Sequence, residues 1–352
     1  MSPDKIIVGI TQGDLNGIGY EIIIKTFRDI RMLDFCTPVI YGSPKAAAYH
    51  RKALNIDNFS LNHIISFDQL NHKRTNIINC LDDNIKVELG KETNVGGMSA
   101  FSCLEAATKD MLDGKFVILV TAPINKHNIQ SSGFNFPGHT EYLKEKFKSD
   151  DTMMIMVSEQ MKIGVVTGHI PIKDVPAAIN KDIVLKKINA LKNSLIEDFA
   201  IRKPKIAVLG LNPHAGDKGL IGDEEEKYII PAINEAKEND IMALGPYSAD
   251  GLFGSGQYKN FDAILAMYHD QGLTPFKALS FDYGVNYTAG LPIIRTSPAH
   301  GTAFDIAGEN KADENSFRQA VFTALEIYKN RSQYHQLMKN PLKSYYIEES
   351  EN

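Results

Sequence analysis

Three histidines occupy matching places in the sequence, each just after an apolar run that resembles a β-strand. His169 follows KIGVVTG, His214 follows KIAVLGLNP and His269 follows DAILAMY. Ligands of open α/β sheets bind in the crevice beyond the carboxyl ends of the strands, so three imidazoles there could converge on a divalent metal. Each histidine alone is more typical of an ordinary loop residue. The sequence leaves both interpretations open, because strand order cannot be deduced from it.

Further polar residues lie in short segments that we expect to be loops. GHTEY offers His139 and Thr140, LTPFKAL offers Lys277, GVNYTAG offers Asn286 and LPIIRTS offers Arg295. Lysine and arginine near one pocket would suit a phosphate or a carboxylate, and arginine can contact either group with two hydrogen bonds. Taken singly, each charge is equally well interpreted as a solvated loop residue.

The elements that would position these residues alternate along the chain. The strand-like runs are KIIVGIT, TPVIYG, FVILVTAP, MMIMVS, KIGVVTG, KIAVLGL and DAILAMY. The amphipathic stretches between them are Tyr20 to Arg31, Met98 to Asp113, Lys181 to Phe199, Asp223 to Lys237 and Glu314 to Met338. Parallel strands need crossovers, usually helices, so this alternation predicts an α/β fold with a largely parallel sheet. The region 55–97 is polar and only weakly periodic.

Composition narrows the class of protein. The 352 residues are 43% hydrophobic, enough for a large core and for two lobes. Lys and Arg number 38 against 43 Asp and Glu, so the net charge of -5 gives no reason to expect nucleic acid or an anionic membrane as a partner. Three scattered cysteines, and an N-terminal segment without a signal-peptide pattern, predict a cytoplasmic protein.

The glycines of TQGDLNGIGYEII lie between a strand and a helix but do not form a dinucleotide fingerprint. Gly13, Gly17 and Gly19 give G-x-x-x-G-x-G, whereas the Rossmann motif is G-x-G-x-x-G followed by an acidic residue on the next strand. The Gly-Lys-Ser/Thr ending of a P-loop is also missing. A tight strand-to-helix turn is the better interpretation, and a nicotinamide cofactor would need another binding mode.

Taken together, a series of ordered motifs resembles the 4-hydroxythreonine-4-phosphate dehydrogenase family. The motifs are ITQGDLNGIG, VTAPINKHNI, GHTEYL, TGHIPI, GLNPHAGD, GPYSADGLF, AMYHDQGL and GVNYTAGLPIIRTSPAHGTAFDIAG. The resemblance implies the two-lobed isocitrate/isopropylmalate dehydrogenase-like fold with an inter-lobe cleft. Residues 1–125 and 300–352 would form a cofactor-side lobe, and residues 126–299 a lobe for metal, substrate and dimerisation.

Carried over by residue, the resemblance implies that His169, His214 and His269 bind a divalent metal at a site shared by two subunits of a homodimer. Neutral imidazoles suit Zn²⁺, Co²⁺ or Ni²⁺ better than Mg²⁺, although Mg²⁺ stays open. The implied contacts with the phosphorylated substrate come from His139, Thr140, Lys277, Asn286 and Arg295. HGTAFDIAG is similar to a loop that holds NAD or NADP in related enzymes, which places Gly301, Thr302 and Asp305 at the cofactor.

The implied reaction is the NAD(P)-dependent oxidation of the C3 hydroxyl of 4-phosphooxy-L-threonine, followed by decarboxylation to 3-amino-2-oxopropyl phosphate in vitamin B6 biosynthesis. Lys277 and Asp250 are the candidates for proton transfer, although Asp250, in the SAD segment, is equally suited to capping a helix. Leu15, Asn16 and Tyr20 depart from the residues usual in the first motif, and Asp282-Tyr283 from those usual before GVN. None of these departures removes a metal or substrate position.

Three alternatives remain. A sister dehydrogenase of 4-phospho-D-threonate or 4-phospho-D-erythronate would keep the metal and phosphate residues and differ in the group that recognises the substrate amine. A phosphate acyltransferase is the second alternative, because such enzymes have related folds, and a catalytically silent ligand-binding module is the third. Both fit poorly with three histidines and an intact HGTAFDIAG segment. Metal-dependent NAD reduction would separate the dehydrogenases from the other two.

Overall fold

The computed structural model describes residues 5–340, which form an α/β fold around one mixed sheet of 12 strands. The strands are β1 (Ile7–Thr11), β2 (Thr37–Gly42), β3 (Asn62–Ile64), β4 (Asn76–Asn79), β5 (Ile118–Thr121), β6 (Met153–Val157), β7 (Lys162–Val165), β8 (Lys205–Leu209), β9 (Met242–Tyr247), β10 (Ala263–Ala266), β11 (Val285–Ala289) and β12 (Ile294–Pro298).

Helices connect and cover these strands. They are α1 (Gly19–Arg28), α2 (Met32–Phe35), α3 (Pro44–Ala53), α4 (Asn94–Leu112), α5 (Lys126–Gln130), α6 (His139–Lys146), α7 (Val175–Ala178), α8 (Lys181–Glu197), α9 (Ile230–Glu238), α10 (Ala249–Gly254), α11 (His269–Ser280) and α12 (Asn315–Met338). A short π-helix, Glu225–Ile229, leads directly into α9. Within the described residues, no helix is long and apolar enough to cross a membrane.

The sheet consists of two parallel blocks joined by antiparallel strands. Its order is β3-β4-β2-β1-β5-β12-β11-β6-β7-β10-β8-β9. The first six strands are parallel to one another, and so are the last four. Strand β11 is antiparallel to both β12 and β6, and β6 is antiparallel to β7. The two parallel blocks therefore run in opposite directions, with β11 and β6 between them.

The two faces of the sheet are packed differently. One face carries a single apolar core that extends under α1, α3, α8, α9 and α12. The opposite face carries two separate cores, one beneath α4 and α6 and the other beneath α10 and α11. Side chains alternate between the faces along a strand, so polar residues of the middle strands lie in the gap between these two cores. The gap is where a ligand can reach the sheet.

The predicted α/β fold with a largely parallel sheet is confirmed. All seven predicted strands are present, and each predicted helical stretch contains a helix. The sequence missed β3, β4, β9, β11 and β12; β3 and β4 are short, and β9 contains Pro246. Proline is tolerated in β9 because this strand lies at the edge of the sheet. The two predicted lobes share one continuous sheet, and their boundaries stay a prediction.

The loop assignments of all five substrate-binding candidates are wrong, because each residue lies in a helix or a strand. GVNYTAG and LPIIRTS form β11 and β12, GHTEY begins α6, and Lys277 lies on α11. Asn286 and Arg295 are therefore carried by central strands rather than by loops. Burial on both faces hides the alternation that marks a surface strand, which is why these two strands resembled loops.

Candidate active site

A cavity of about 300 Å³ occupies the gap between the two cores. Its lining comes from the segments after β5, β7 and β10, from β6, β11 and β12, and from the first turn of α6. All five predicted substrate-binding residues line it: His139, Thr140, Lys277, Asn286 and Arg295. The structure thus brings together residues that are scattered through the sequence.

Arg295 forms the most buried charge in the cavity. Its side chain is almost completely inaccessible, at 4% exposure, yet its hydrogen-bond partners among residues 5–340 are the hydroxyls of Thr121 and Thr288. Burial lowers the pKa of Arg295 to about 10, and nearby Glu141 opposes this effect. A buried guanidinium that is held by neutral hydroxyls is prepared to bind an anion.

The first turn of α6 lies close to Arg295 in the same cavity. His139 and Thr140 are its first two residues, and the Thr140 hydroxyl lies 3.3 Å from the hydroxyl of Thr288, which also accepts from Arg295. The free N–H groups and the dipole of a helix N-terminus favour a negative charge. Burial, followed by Arg295 and Lys126, lowers the pKa of His139 well below its usual range. His139 is therefore neutral and offers a hydrogen bond rather than a charge.

Lys277 and Asn286 also line the cavity. Lys277 lies toward the end of α11, the helix that begins with His269. The Oδ1 atom of Asn286 is buried and has no hydrogen-bond partner among the described residues. Buried polar atoms are nearly always paired in folded proteins, so this one fits a donor on a bound ligand.

Two of the three strand-end histidines meet in this cavity. The rings of His169 and His269 lie 5.3 Å apart between centroids, since β7 and β10 are neighbours in the sheet. Nδ1 of His269 lies 2.6 Å from Oδ1 of Asp270, which leaves Nε2 free. Burial, Lys126 and His269 lower the pKa of His169, so its imidazole is held neutral. An imidazole held neutral, as in His169, and an imidazole oriented by a carboxylate, as in His269, are both suited to bind a metal.

His214 follows β8, the strand next to β10, but does not line this cavity. It is exposed and belongs to a turn of left-handed residues. Within residues 5–340 of one chain, no cluster of three His, Cys, Asp or Glu side chains is arranged to hold a metal ion. A single chain therefore supplies two of the three predicted ligands to the cavity.

Asp250 also lies away from the cavity. It is exposed in the first turn of α10, where Ser248 is the N-cap and donates to Oδ1 of Asp250 at 2.7 Å. This hydrogen bond, together with backbone bonds and the proximity of His214, lowers the pKa of Asp250. Asp250 and His214 are neighbours, because α10 packs against the 213–219 turn near the β9 edge of the sheet.

The predicted cofactor loop borders the cavity at Gly301. The Thr302 carbonyl accepts a hydrogen bond from the Ile18 amide at 3.0 Å, and Asp305 lies exposed in the 3₁₀ turn that follows. A side chain on Gly17 would come within 2.7 Å of the Thr302 carbonyl. The tight-turn interpretation of the first glycine segment is confirmed, because its glycines allow this close contact.

Comparison with known proteins identifies the family. The sequence profile of the family described as pyridoxal phosphate biosynthetic protein PdxA matches residues 34–324. The chain belongs to the PdxA family. A 4-hydroxythreonine-4-phosphate dehydrogenase of Bacteroides thetaiotaomicron is 51% identical, covering 100% of this chain and 97% of that protein. A putative D-threonate 4-phosphate dehydrogenase of Oceanobacillus iheyensis is 40% identical, covering 92% and 98%.

Solved PdxA-family structures have the same fold. The 4-hydroxythreonine-4-phosphate dehydrogenase of Klebsiella pneumoniae superimposes with a TM-score of 0.78 at 33% identity, covering 92% of this chain and 98% of that one. The corresponding protein of Burkholderia phymatum gives a TM-score of 0.74 at 34% identity, with the same coverage. In both comparisons the agreement covers 92% of this chain.

Sequence analysis missed several lining residues of this PdxA-family site. Thr121 ends β5 and Lys126 follows it, Glu141 follows Thr140, and His300 is the first residue of the predicted cofactor loop HGTAFDIAG. Nε2 of His300 is buried without a partner among the described residues. The position of Lys126 after the predicted strand FVILVTAP was the one signal available, since residues at strand ends line sites in α/β sheets.

Proposed function

We propose that this protein is an NAD(P)-dependent dehydrogenase that oxidises and decarboxylates 4-phosphooxy-L-threonine to 3-amino-2-oxopropyl phosphate, a step of pyridoxal phosphate biosynthesis. The observation that carries the proposal is the buried Arg295, held by hydroxyls in a cavity that also contains the His169–His269 pair. The names of the relatives support it.

The cations of the cavity would hold the anionic groups of the substrate. Arg295, Thr140 and the N-terminus of α6 form the most enclosed anion site, which suits the phosphate. Lys277 and Asn286 line the cavity with the histidine pair, where they can orient the reacting end of the substrate. Among lining residues of the described chain, Glu141 is the one carboxylate and could contact the substrate ammonium group. Each charge-assisted hydrogen bond contributes roughly 1.5 to 3 kcal/mol.

His169 and His269 would hold a divalent metal, with His214 of the partner subunit as the third ligand of a homodimer. The donor set fits Zn²⁺ or Co²⁺, because both imidazoles in the cavity are oriented or held neutral. A bound divalent ion supplies Lewis acidity at the oxygen on C3, both in oxidation and in decarboxylation. Asp250 would accompany His214 into the shared site, since the two residues are neighbours.

Of the two candidates for proton transfer, Lys277 and Asp250, only Lys277 lines the cavity, so Lys277 is the proposed proton-transfer group of this chain. NAD or NADP supplies the hydride acceptor. Gly301, Thr302 and Asp305 would bind the cofactor beside the cavity, where Gly301 has open space around it. A cytoplasmic location belongs to this proposal and is supported by three free thiols.

A second substrate, 4-phospho-D-threonate, is favoured by one observation, the name of the Oceanobacillus relative at 40% identity. A panel of phosphorylated four-carbon acids, assayed by NAD(P) reduction in metal-free buffer and with added Zn²⁺ or Co²⁺, tests both possibilities. We expect the highest kcat/KM with 4-phosphooxy-L-threonine, together with release of carbon dioxide. No reduction with any member of the panel, in the presence of metal, would refute the dehydrogenase assignment.

A further inference from the structure

The turn that carries His214 has an unusual backbone. Five consecutive residues, 214–218, have positive φ angles between 43° and 80°, and only Gly216 among them is a glycine. Residues with a Cβ avoid this left-handed region because the Cβ crowds the backbone. Such conformations persist only where the surrounding structure enforces them. Four of the five residues are not glycine, so the sequence of the turn alone does not favour the left-handed conformation.

One carboxylate, that of Glu225, holds the chain at the start of this turn. Glu225 is 1% exposed, and its Oε1 accepts hydrogen bonds from the amides of Leu211 and Asn212, both at 2.7 Å. Its Oε2 accepts from Nδ2 of Asn212 at 2.9 Å. No lysine or arginine forms a salt bridge with it in the described part of the chain, and its hydrogen bonds come from backbone and amide donors.

The turn is wrapped closely around this group. A Cβ on Gly216 would lie 2.7 Å from Oε2 of Glu225, and a Cβ on Gly210 would lie 3.0 Å from Oε1. Both glycines therefore allow the chain to pass close to the carboxylate, one beside each oxygen. Glu225 itself is fixed as the first residue of the π-helix that leads into α9. The first residue of this helix is thus hydrogen-bonded to the connection that follows β8.

We propose that Glu225 is a positioning residue, which holds the 210–218 turn in its left-handed form and so presents His214 as a metal ligand. The inference rests on the proposed function, in which His214 completes the site of the partner subunit. Glu225 does not contact substrate or metal. Its contribution is to fix the imidazole beforehand, so that metal binding does not have to order the turn.

The test uses Glu225→Gln in the full-length protein, with Glu226→Gln as a matched control. The first variant replaces one acceptor oxygen by an NH₂ group opposite Asn212, whereas Glu226 is exposed and makes no such bond. Trypsin cleavage after the exposed Lys218 under native conditions, measured by mass spectrometry, shows how well the 210–218 turn is ordered. Zn²⁺ affinity, measured in competition with a chromogenic chelator, shows whether His214 is still positioned to bind the metal.

We expect Glu225→Gln to accelerate cleavage after Lys218 selectively and to weaken Zn²⁺ binding about 10- to 100-fold, as losses of ligand-orienting groups commonly do. The melting temperature and the other tryptic sites should match wild type, as should Glu226→Gln throughout. Gly216→Ala keeps the carboxylate but fills the space beside it, and should reproduce both effects.

Three results would overturn the proposal. Wild-type cleavage and Zn²⁺ affinity in Glu225→Gln would show that the carboxylate does not hold the turn. Faster cleavage at every site with a lower melting temperature, in both Glu225→Gln and Gly216→Ala, would show a purely structural role. If His214→Ala weakens Zn²⁺ binding and Glu225→Gln does not, this inference fails while the proposed function stands; if His214→Ala has no effect, the proposed metal site fails as well.

Discussion

The guanidinium of Arg295 donates two hydrogen bonds to the Thr121 hydroxyl, at 2.8 and 3.2 Å. This contact joins β12 to β5 at the floor of the cavity. Threonine can orient the guanidinium but cannot neutralise it, so the positive charge remains available to a ligand.

Arg295→Lys should weaken substrate binding, because lysine keeps the charge but loses the planar fork. Loss of one charge-assisted hydrogen bond predicts a rise in KM of roughly 10- to 150-fold. Steady-state kinetics with 4-phosphooxy-L-threonine measures this, and Arg202→Lys, at an exposed position, serves as the control. Lower affinity for NAD(P), at unchanged KM for the substrate, would contradict the assigned role.

His269→Ala should reduce turnover at least ~10-fold, and Asp270→Asn should have a smaller effect because it only orients the ring. Chelation of wild type should abolish turnover, and added Zn²⁺ or Co²⁺ should restore it. Elemental analysis must accompany both experiments. Full activity in protein shown to be metal-free would disprove the metal role.

Hybrid dimers can show whether the site is shared. A dimer of one His269→Ala and one His214→Ala chain should regain one complete site, since His214 would act across the interface. A dimer of His169→Ala and His269→Ala chains should remain inactive, because the structure places both residues in one cavity. Equal recovery in the two hybrids, or an active monomer in sedimentation, would argue against the shared site.

Glu141→Gln should lower kcat/KM about 10-fold for 4-phosphooxy-L-threonine, on the scale of one hydrogen bond to a charged group. The same variant should have little effect on 4-phospho-D-threonate, which has no ammonium group. Glu145→Gln, exposed on the same helix, is the matched control. Equal losses for both substrates would indicate that Glu141 instead acts on a shared feature such as Arg295.

The stability of the protein should fall as the pH decreases below neutrality, partly because of His50. Burial lowers the pKa of His50 from 6.5 to about 4, and its Nε2 lies 2.7 Å from the Leu15 carbonyl. The unfolded chain binds this proton first, so a contribution on the order of 3 kcal/mol, present above pH 6.5, is lost as the pH falls from 6.5 toward 4.

His50→Gln keeps a donor for the Leu15 carbonyl and removes the titration. Urea unfolding across this pH range should therefore show a shallower slope in the variant than in wild type. The slope should not vanish, because the pKa of His139 is lowered by burial as well. An identical slope in both proteins would show that His50 does not contribute.

Local patterns predicted the fold class and most of the elements, because alternation of apolar runs and amphipathic stretches is encoded in neighbouring residues. The grouping of His139, Thr140, Lys277, Asn286 and Arg295 came from family resemblance, and the cavity brings them together. The position of His214 outside the cavity could not be predicted from local patterns. We infer that it depends on Glu225, which lies in a different element and whose burial no local pattern reveals.

The place of β12 in the sheet has a consequence for how the protein is made. This late strand inserts between β5 and β11, so β5 keeps an open edge until residues 294–298 have left the ribosome. Open parallel edges formed by distant segments are slow to pair and prone to aggregate. The middle of the sheet can therefore close only after most of the chain has been synthesised.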